Sequence, residues 1–135
     1  MRMSMSRALV AALMTLGFTA CGGDSSSSTV VLSPEGELGR QVAQTNGCAG
    51  CHGANWQGQV GPAFVGLYGS TVTFDDGTTA VADDAYLRES IVDPLAKRVE
   101  GFKLPMPQTN LSDDEIEQLI AYIRDVSTSP PTAAP

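Results

Sequence analysis

The chain has 135 residues, 42% of them apolar and 6% aromatic, which is room for one domain of ordinary composition. Its three cysteines exclude a fully paired disulfide framework, and its one histidine excludes any site built from two or more. Fifteen acidic against eight basic residues give a net charge of −7, which argues against nucleic acid as a partner.

Met1 to Arg7 carries Arg2 and Arg7 and no acid, and Ala8 to Ala20 follows as thirteen residues without a charge. A basic start, an apolar middle and a small residue at the cut site are the features of a secretory signal peptide. The junction Phe18-Thr19-Ala20-Cys21 resembles the lipobox of bacterial lipoproteins. That resemblance implies that residues 1–20 are removed and that Cys21 is lipidated and becomes the mature N-terminus. An uncleaved anchor is the poorer reading, because thirteen apolar residues fall short of the roughly 20 that a spanning helix needs. Residues 21–32, rich in Gly and Ser, read as a tether with a taut reach of about 40 Å. The expected location is therefore outside the cytoplasm: lipid-anchored on the outer face of the cytoplasmic membrane, in the periplasm, or on the outer membrane. Without the leader the chain keeps six basic and fifteen acidic residues, a net of −9, and a single methionine, Met106.

The folded part is expected over residues 33–126, and 127–135, made of Ser, Thr, Pro and Ala, reads as a disordered tail. Ser33-Pro34 opens a helix that places Leu38, Val42 and Thr45 on one face and stops at Asn46-Gly47. Cys48-Ala49-Gly50-Cys51-His52 follows at once. Two thiols three residues apart and an adjacent imidazole form the pattern of haem c attachment: each thiol can form a thioether with a haem vinyl group, leaving His52 as an axial ligand. A redox dithiol would want a βαβ setting, and structural zinc would want further ligands that the chain lacks. Gly61-Pro62 offers a carbonyl acceptor for the second imidazole N–H, with Pro62 the candidate; a simple turn is the plainer reading. Trp56 could lie along the haem or pack on the surface.

Val72-Thr73-Phe74 and Thr78 to Val81 flank Asp75-Asp76-Gly77, the signal of a small hairpin. Asp83 caps a helix over 84–92 that ends before Pro94, with Leu87, Ile91 and Tyr86 inward. Met106, between Pro105 and Pro107, lies 54 residues beyond His52 and is the candidate distal ligand. Its flanking prolines forbid a helix and stiffen the loop, and thioether sulfur raises the potential of iron, which suits an electron carrier. Ser112-Asp113-Asp114-Glu115 is a capping box opening a last helix to about Val126, with Ile116, Leu119, Ile120 and Ile123 in one apolar stripe. So few apolar residues and such long loops fit a domain whose core is completed by a porphyrin, and the apoprotein is expected to be largely unfolded.

Taken together, Cys48 to His52, Gly61-Pro62, the Pro-flanked Met106 and the closing Leu-Ile-Ala-Tyr-Ile resemble class I cytochromes c. More narrowly, Asp76-Gly77, Tyr86-Leu87-Arg88-Glu89-Ser90-Ile91, Gly101-Phe102 and Leu111-Ser112 resemble the cytochrome c domain of haem-copper oxidase subunit II. The resemblance implies an all-α fold, three main helices around one covalent haem c, with His52 and Met106 as ligands and Pro62 accepting from His52. It implies terminal helices crossing at Gly39, where Ala43 stands in place of the usual aromatic, so that packing against Tyr122 is expected to be loose. The function implied is single-electron transfer in a respiratory chain, with a quinol-oxidising complex or a terminal oxidase as partner, rather than enzymatic catalysis. The alternative is a haem peroxidase or gas-binding sensor with a labile distal ligand, against which the lack of a distal acid–base group argues. Arg88, Lys97, Arg98 and Lys103 precede Met106 while acids crowd the last helix, which predicts an electron-exchange face less acidic than the whole.

Overall fold

The computed structural model describes residues 30–128, so the leader, Cys21, most of the tether and the end of the tail lie outside the described residues. Four helices and one hairpin follow in chain order: α1 (Pro34–Thr45), α2 (Ala49–His52), β1 (Thr71–Thr73), β2 (Thr79–Val81), α3 (Asp84–Val92) and α4 (Asp113–Ser127). Three of the helices are those expected from the sequence. The fourth, α2, is a single turn that carries the cysteine motif.

Ser33 caps α1 by accepting from the Gly36 N–H at 3.0 Å, and Pro34 occupies the first helical position. The backbone N–H and hydroxyl of Ser33 also donate to Asp125 Oδ2 at 2.8 and 2.7 Å. A carboxylate from α4 thus sits at the positive end of α1 and ties the two terminal helices together. The buried face of α1 is Gly36, Gly39, Val42 and Ala43. This corrects the expected face, because Leu38 is 46% exposed and Thr45 is exposed. The physical reason is close backbone approach. A Cβ at Gly39 would stand 1.9 Å from the Gln118 carbonyl oxygen and 2.8 Å from Tyr122 Cβ, so α1 meets α4 through its glycines and Leu38 is left beside the contact.

α4 is capped as expected: the Ser112 hydroxyl accepts from the Glu115 N–H, and the Glu115 carboxylate accepts from the Ser112 N–H at 2.8 Å. Ile116, Leu119, Ile120 and Ile123 are all buried, and Tyr122 and Val126 join them. The helix outruns its expected end. Ser127, assigned by composition to the tail, accepts from the Tyr68 N–H at 2.9 Å, and its oxygen lies 2.8 Å from the Phe64 carbonyl. At the other terminus Val30 and Leu32, the end of the expected tether, pack against the core.

The hairpin pairs Thr71 with Val81, Val72 with Ala80 and Thr73 with Thr79. It is closed by Phe74 and Thr78 rather than extended by them, with Gly77 at φ +80 in the turn. Its outer edge has a second task. Phe74 bridges to Val99, the Thr73 carbonyl accepts from the Glu100 N–H, and the Arg98 carbonyl accepts from the Asp75 N–H. The loop that leads to Met106 is thereby fixed along β1.

Candidate functional site

α2 is built by hydrogen bonds from the Cys51 and His52 N–H groups to the Cys48 carbonyl, at 3.2 and 3.0 Å. One helical turn puts positions i, i+3 and i+4 on a common side, so the two thiols and the imidazole face the same space. That space is an apolar cavity of about 400 Å³, within the range expected of a cofactor site. Three helices and a loop contribute to its wall: Cys48, Cys51 and His52 from the motif, Phe64 and Leu67 from the loop after it, Leu87 and Ile91 from α3, Leu119 and Ile123 from α4. The segment fixed along β1 supplies Val99, Phe102 and Met106.

His52 is held in one tautomer. Its Nδ1 lies 2.7 Å from the Pro62 carbonyl oxygen, an atom that can only accept, so Nδ1 carries the proton and Nε2 keeps its lone pair. Burial pushes the imidazole below its ordinary value, with the Pro62 hydrogen bond opposing, so the ring is neutral at pH 7 as a ligand must be. Gly61 leaves room for the ring, because a Cβ there would come within 3.1–3.3 Å of three atoms of the imidazole and press on it. Residue 61 therefore braces the ring with backbone alone.

Cys48 and Cys51 are both free and half-buried. Burial pushes the Cys48 thiol up, the reverse of the lowered value an attacking redox dithiol needs. No cluster of three or more His, Cys, Asp or Glu that could hold a metal ion occurs among the described residues. What the donor set does fit is haem c: two thiols for covalent attachment, a neutral imidazole with a free Nε2, a thioether in the same cavity, and apolar walls for a flat macrocycle. Haem bound there supplies one-electron chemistry at its iron. Cys48 and Cys51 would hold it, His52 and Met106 would ligate it, and Pro62 would orient His52.

The structure thus brings all five haem-site residues expected from the sequence, Cys48, Cys51, His52, Pro62 and Met106, to one cavity. Cys21, the expected lipidation site, lies outside the described residues. Trp56 is not on the cavity wall. Its ring stacks on Phe64, with centroids 4.9 Å apart and planes at 4°, and meets Tyr122 edge-on at 5.6 Å. This also corrects the expectation of loose packing at Ala43. Ala43 is fully buried and Tyr122 is 4% exposed, Trp56 supplying from a loop the aromatic contact that α1 lacks. Phe64 was not anticipated from sequence; its ring lies 4.6 Å from the imidazole of His52. Only its place two residues after Gly61-Pro62 could have pointed to it.

The mouth of the cavity is more apolar than the sequence suggested. Val60, Leu95 and Leu104 line it and are 39%, 73% and 65% exposed. Lys97 and Arg98 also line it, but each is paired, with Glu89 at 2.7 Å and with Asp75. Arg88 is paired with Asp113 and Glu117, Arg124 with Asp84, and Arg40 with Glu37. Among the described residues Lys103 is the one basic side chain outside an ion pair. The two basic side chains at the mouth are thus each balanced by an acid.

A comparison with curated proteins gave no match. The family model described as cytochrome c matches residues 36–127, from the first turn of α1 to the last residue of α4. That match spans the helical frame and every residue of the cavity wall, and the helices, single hairpin and haem-fitting donor set agree with a class I all-α cytochrome c fold: the chain belongs to the cytochrome c family, and is a haem-based electron carrier.

Proposed function

We propose that the protein is a monohaem cytochrome that carries single electrons in a respiratory chain with His52 and Met106 as the two axial ligands of its iron. The observation that carries this reading is the pairing in one cavity of a His52 whose Nδ1–H is committed to Pro62 and a Met106 held between prolines. The chain's own contribution is to keep Nε2 unprotonated, to present a thioether from a stiff loop and to surround both with apolar side chains. A preformed site with apolar walls lowers the reorganisation that accompanies a change of charge.

The electron-exchange face is the mouth formed by Val60, Leu95 and Leu104, flanked by the Lys97–Glu89 and Arg98–Asp75 pairs. An exposed apolar rim of this kind suits a small, transient interface with a membrane-bound oxidoreductase. A terminal oxidase or a quinol-oxidising complex is the partner proposed. Lipid on Cys21 would hold the domain at the outer face of the cytoplasmic membrane or on the periplasmic side, where such complexes exchange electrons.

The test is the visible and near-infrared spectrum of the oxidised holoprotein. A Met-to-iron charge-transfer band is expected, and Met106→Ala should abolish it and lower the reduction potential. Persistence of the band in that variant refutes the ligand assignment. Rapid carbon monoxide binding by the reduced native protein would replace the carrier reading with a gas-binding one.

A further inference from the structure

We propose that Trp56 is a positioning residue for the iron ligand: acting through Phe64, it sets the plane in which the His52 imidazole is held. The inference rests on the reading that His52 ligates haem.

Among the described residues Trp56 is the only non-glycine with positive φ, at +61. A bulky side chain in the left-handed region is a true outlier, and such a conformation persists only where the surroundings over-determine it. They do so here. The Trp56 N–H donates to the Gly53 carbonyl at 2.9 Å, and the Trp56 carbonyl accepts from both Phe64 and Val65, at 2.9 and 3.2 Å. The backbone of Trp56 is therefore pinned at one end to the loop leaving α2 and at the other to the segment that carries Phe64.

The consequence is a row of rings that leads from α4 to the ligand. Tyr122, 4% exposed, meets Trp56 edge-on; Trp56 lies flat on Phe64; and Phe64, 5% exposed, packs against His52 with planes inclined at 40°. None of these contacts is required for the hydrogen bond from His52 to Pro62. That bond alone leaves the ring plane loosely defined, because hydrogen bonds at a carbonyl tolerate a broad spread of directions. Packing against the imidazole removes this freedom. The Gly61 backbone constrains the ring by its close approach, and Phe64, backed by Trp56, adds a second contact. A position where a left-handed tryptophan is kept at a cost in strain is thus explained by what its ring supports.

The plane of the axial imidazole, together with the orientation of the Met thioether, determines how unpaired spin is distributed over a ferric low-spin haem, so with the thioether unchanged the order of the haem methyl resonances reads that plane. Proton NMR and low-temperature EPR of the ferric holoprotein are the assays, with thermal stability measured in parallel. Trp56→Ala is expected to reorder the haem methyl resonances and shift the EPR anisotropy while the Met-to-iron band persists; Trp56→Phe, which keeps a ring to stack on Phe64, should retain the native pattern. An unchanged resonance pattern in Trp56→Ala, whatever its stability, overturns the proposal, as does an equal change in Trp56→Phe. If Trp56→Ala yields no folded holoprotein, Phe64→Leu is read by the same criterion. Failure of the ligation reading itself is seen separately, as a native spectrum that is not that of low-spin His/Met iron before any substitution is made, and it overturns both.

Discussion

Replacing Gly39 with Ala adds one methyl group where α1 and α4 touch. The new Cβ would stand 1.9 Å from the Gln118 carbonyl oxygen, 2.5 Å from its carbon and 2.8 Å from Tyr122 Cβ. The first two are backbone atoms in the interior of α4 and cannot rotate away. Restoring ordinary carbon–oxygen contact requires a retreat of about 1.5 Å at the crossing. A gap of even 0.5–1 Å forfeits roughly a quarter to a half of the dispersion attraction of the atoms that face it. Val42, Ala43, Leu119 and Tyr122 are buried around this contact and would lose it together. Overpacking of this kind costs about 1–3 kcal/mol, and the rigid partner places this case at the upper end. Against it stands the gain of about 1 kcal/mol from replacing a helical glycine with alanine. The net destabilisation expected is about 2 kcal/mol, or a fall of about 8–16 °C in the melting temperature of a domain this size.

Gly36→Ala is the control. Its Cβ would meet Asp125 Oδ2 at 2.0 Å and Ser33 Oγ at 3.0 Å, both on side chains that can turn aside. The loss is then limited to the capping contacts at the start of α1, about 1 kcal/mol, which the same helical gain offsets. Thermal unfolding of the holoproteins followed by far-UV circular dichroism measures both. Gly39→Ala within about 0.5 kcal/mol of the native protein, or less costly than Gly36→Ala, would refute the backbone-to-backbone crossing.

Haem removal is expected to abolish cooperative folding, since it leaves a cavity of about 400 Å³ lined by the core residues Phe64, Leu87, Ile91, Leu119 and Ile123; a sharp, haem-free thermal transition would contradict this. Association with a redox partner should depend only weakly on ionic strength, because Lys97 and Arg98 are already paired at the mouth; a steep fall in rate with added salt would show that they act as free charges. The Glu115 carboxyl is held below its ordinary value by hydrogen bonds from the Ser112 N–H and hydroxyl, so its stabilisation is complete above that value and is lost as pH falls through the lowered one. Acid unfolding of native and Glu115→Gln proteins should thus show a stability difference that is constant near neutral pH and shrinks in acid; a difference that grows in acid would reverse the sign.

What was legible in the sequence was what is decided over a few residues. Ser33-Pro34, Asp83 and the Ser112–Glu115 box started their helices where the capping chemistry is local. The apolar stripe of α4 was correct because a helix with a continuous stripe has only one face to bury. α1 has no such stripe. Its buried face was misjudged because the choice between Leu38 and Gly39 is made by α4: a glycine is invisible to an apolar count, yet it permits the closest approach. Ser127 was misplaced for a similar reason, since its composition says tail while its hydrogen bonds go to Phe64 and Tyr68, far away in sequence.

The site divides along the same line. Cys48, Cys51 and His52 are tied together by one helical turn, and Pro62 reaches His52 across ten residues, so short spacings were enough to single them out as candidates. The charge at the mouth did not follow from spacing. Lys97 and Arg98 stand in the basic stretch that leads to Met106, but their partners are Glu89 on the preceding helix and Asp75 in the hairpin turn. The hairpin that carries Asp75 is also what fixes Val99 and Glu100, and through them the segment that supplies Phe102 and Met106 to the cavity. One small element therefore performs two tasks: it fixes one wall of the haem cavity and removes charge from its rim. Loss of the hairpin should for that reason disturb ligand and docking face together, whereas Asp75→Asn, which leaves the backbone bridges intact, should free the Arg98 charge without moving Met106.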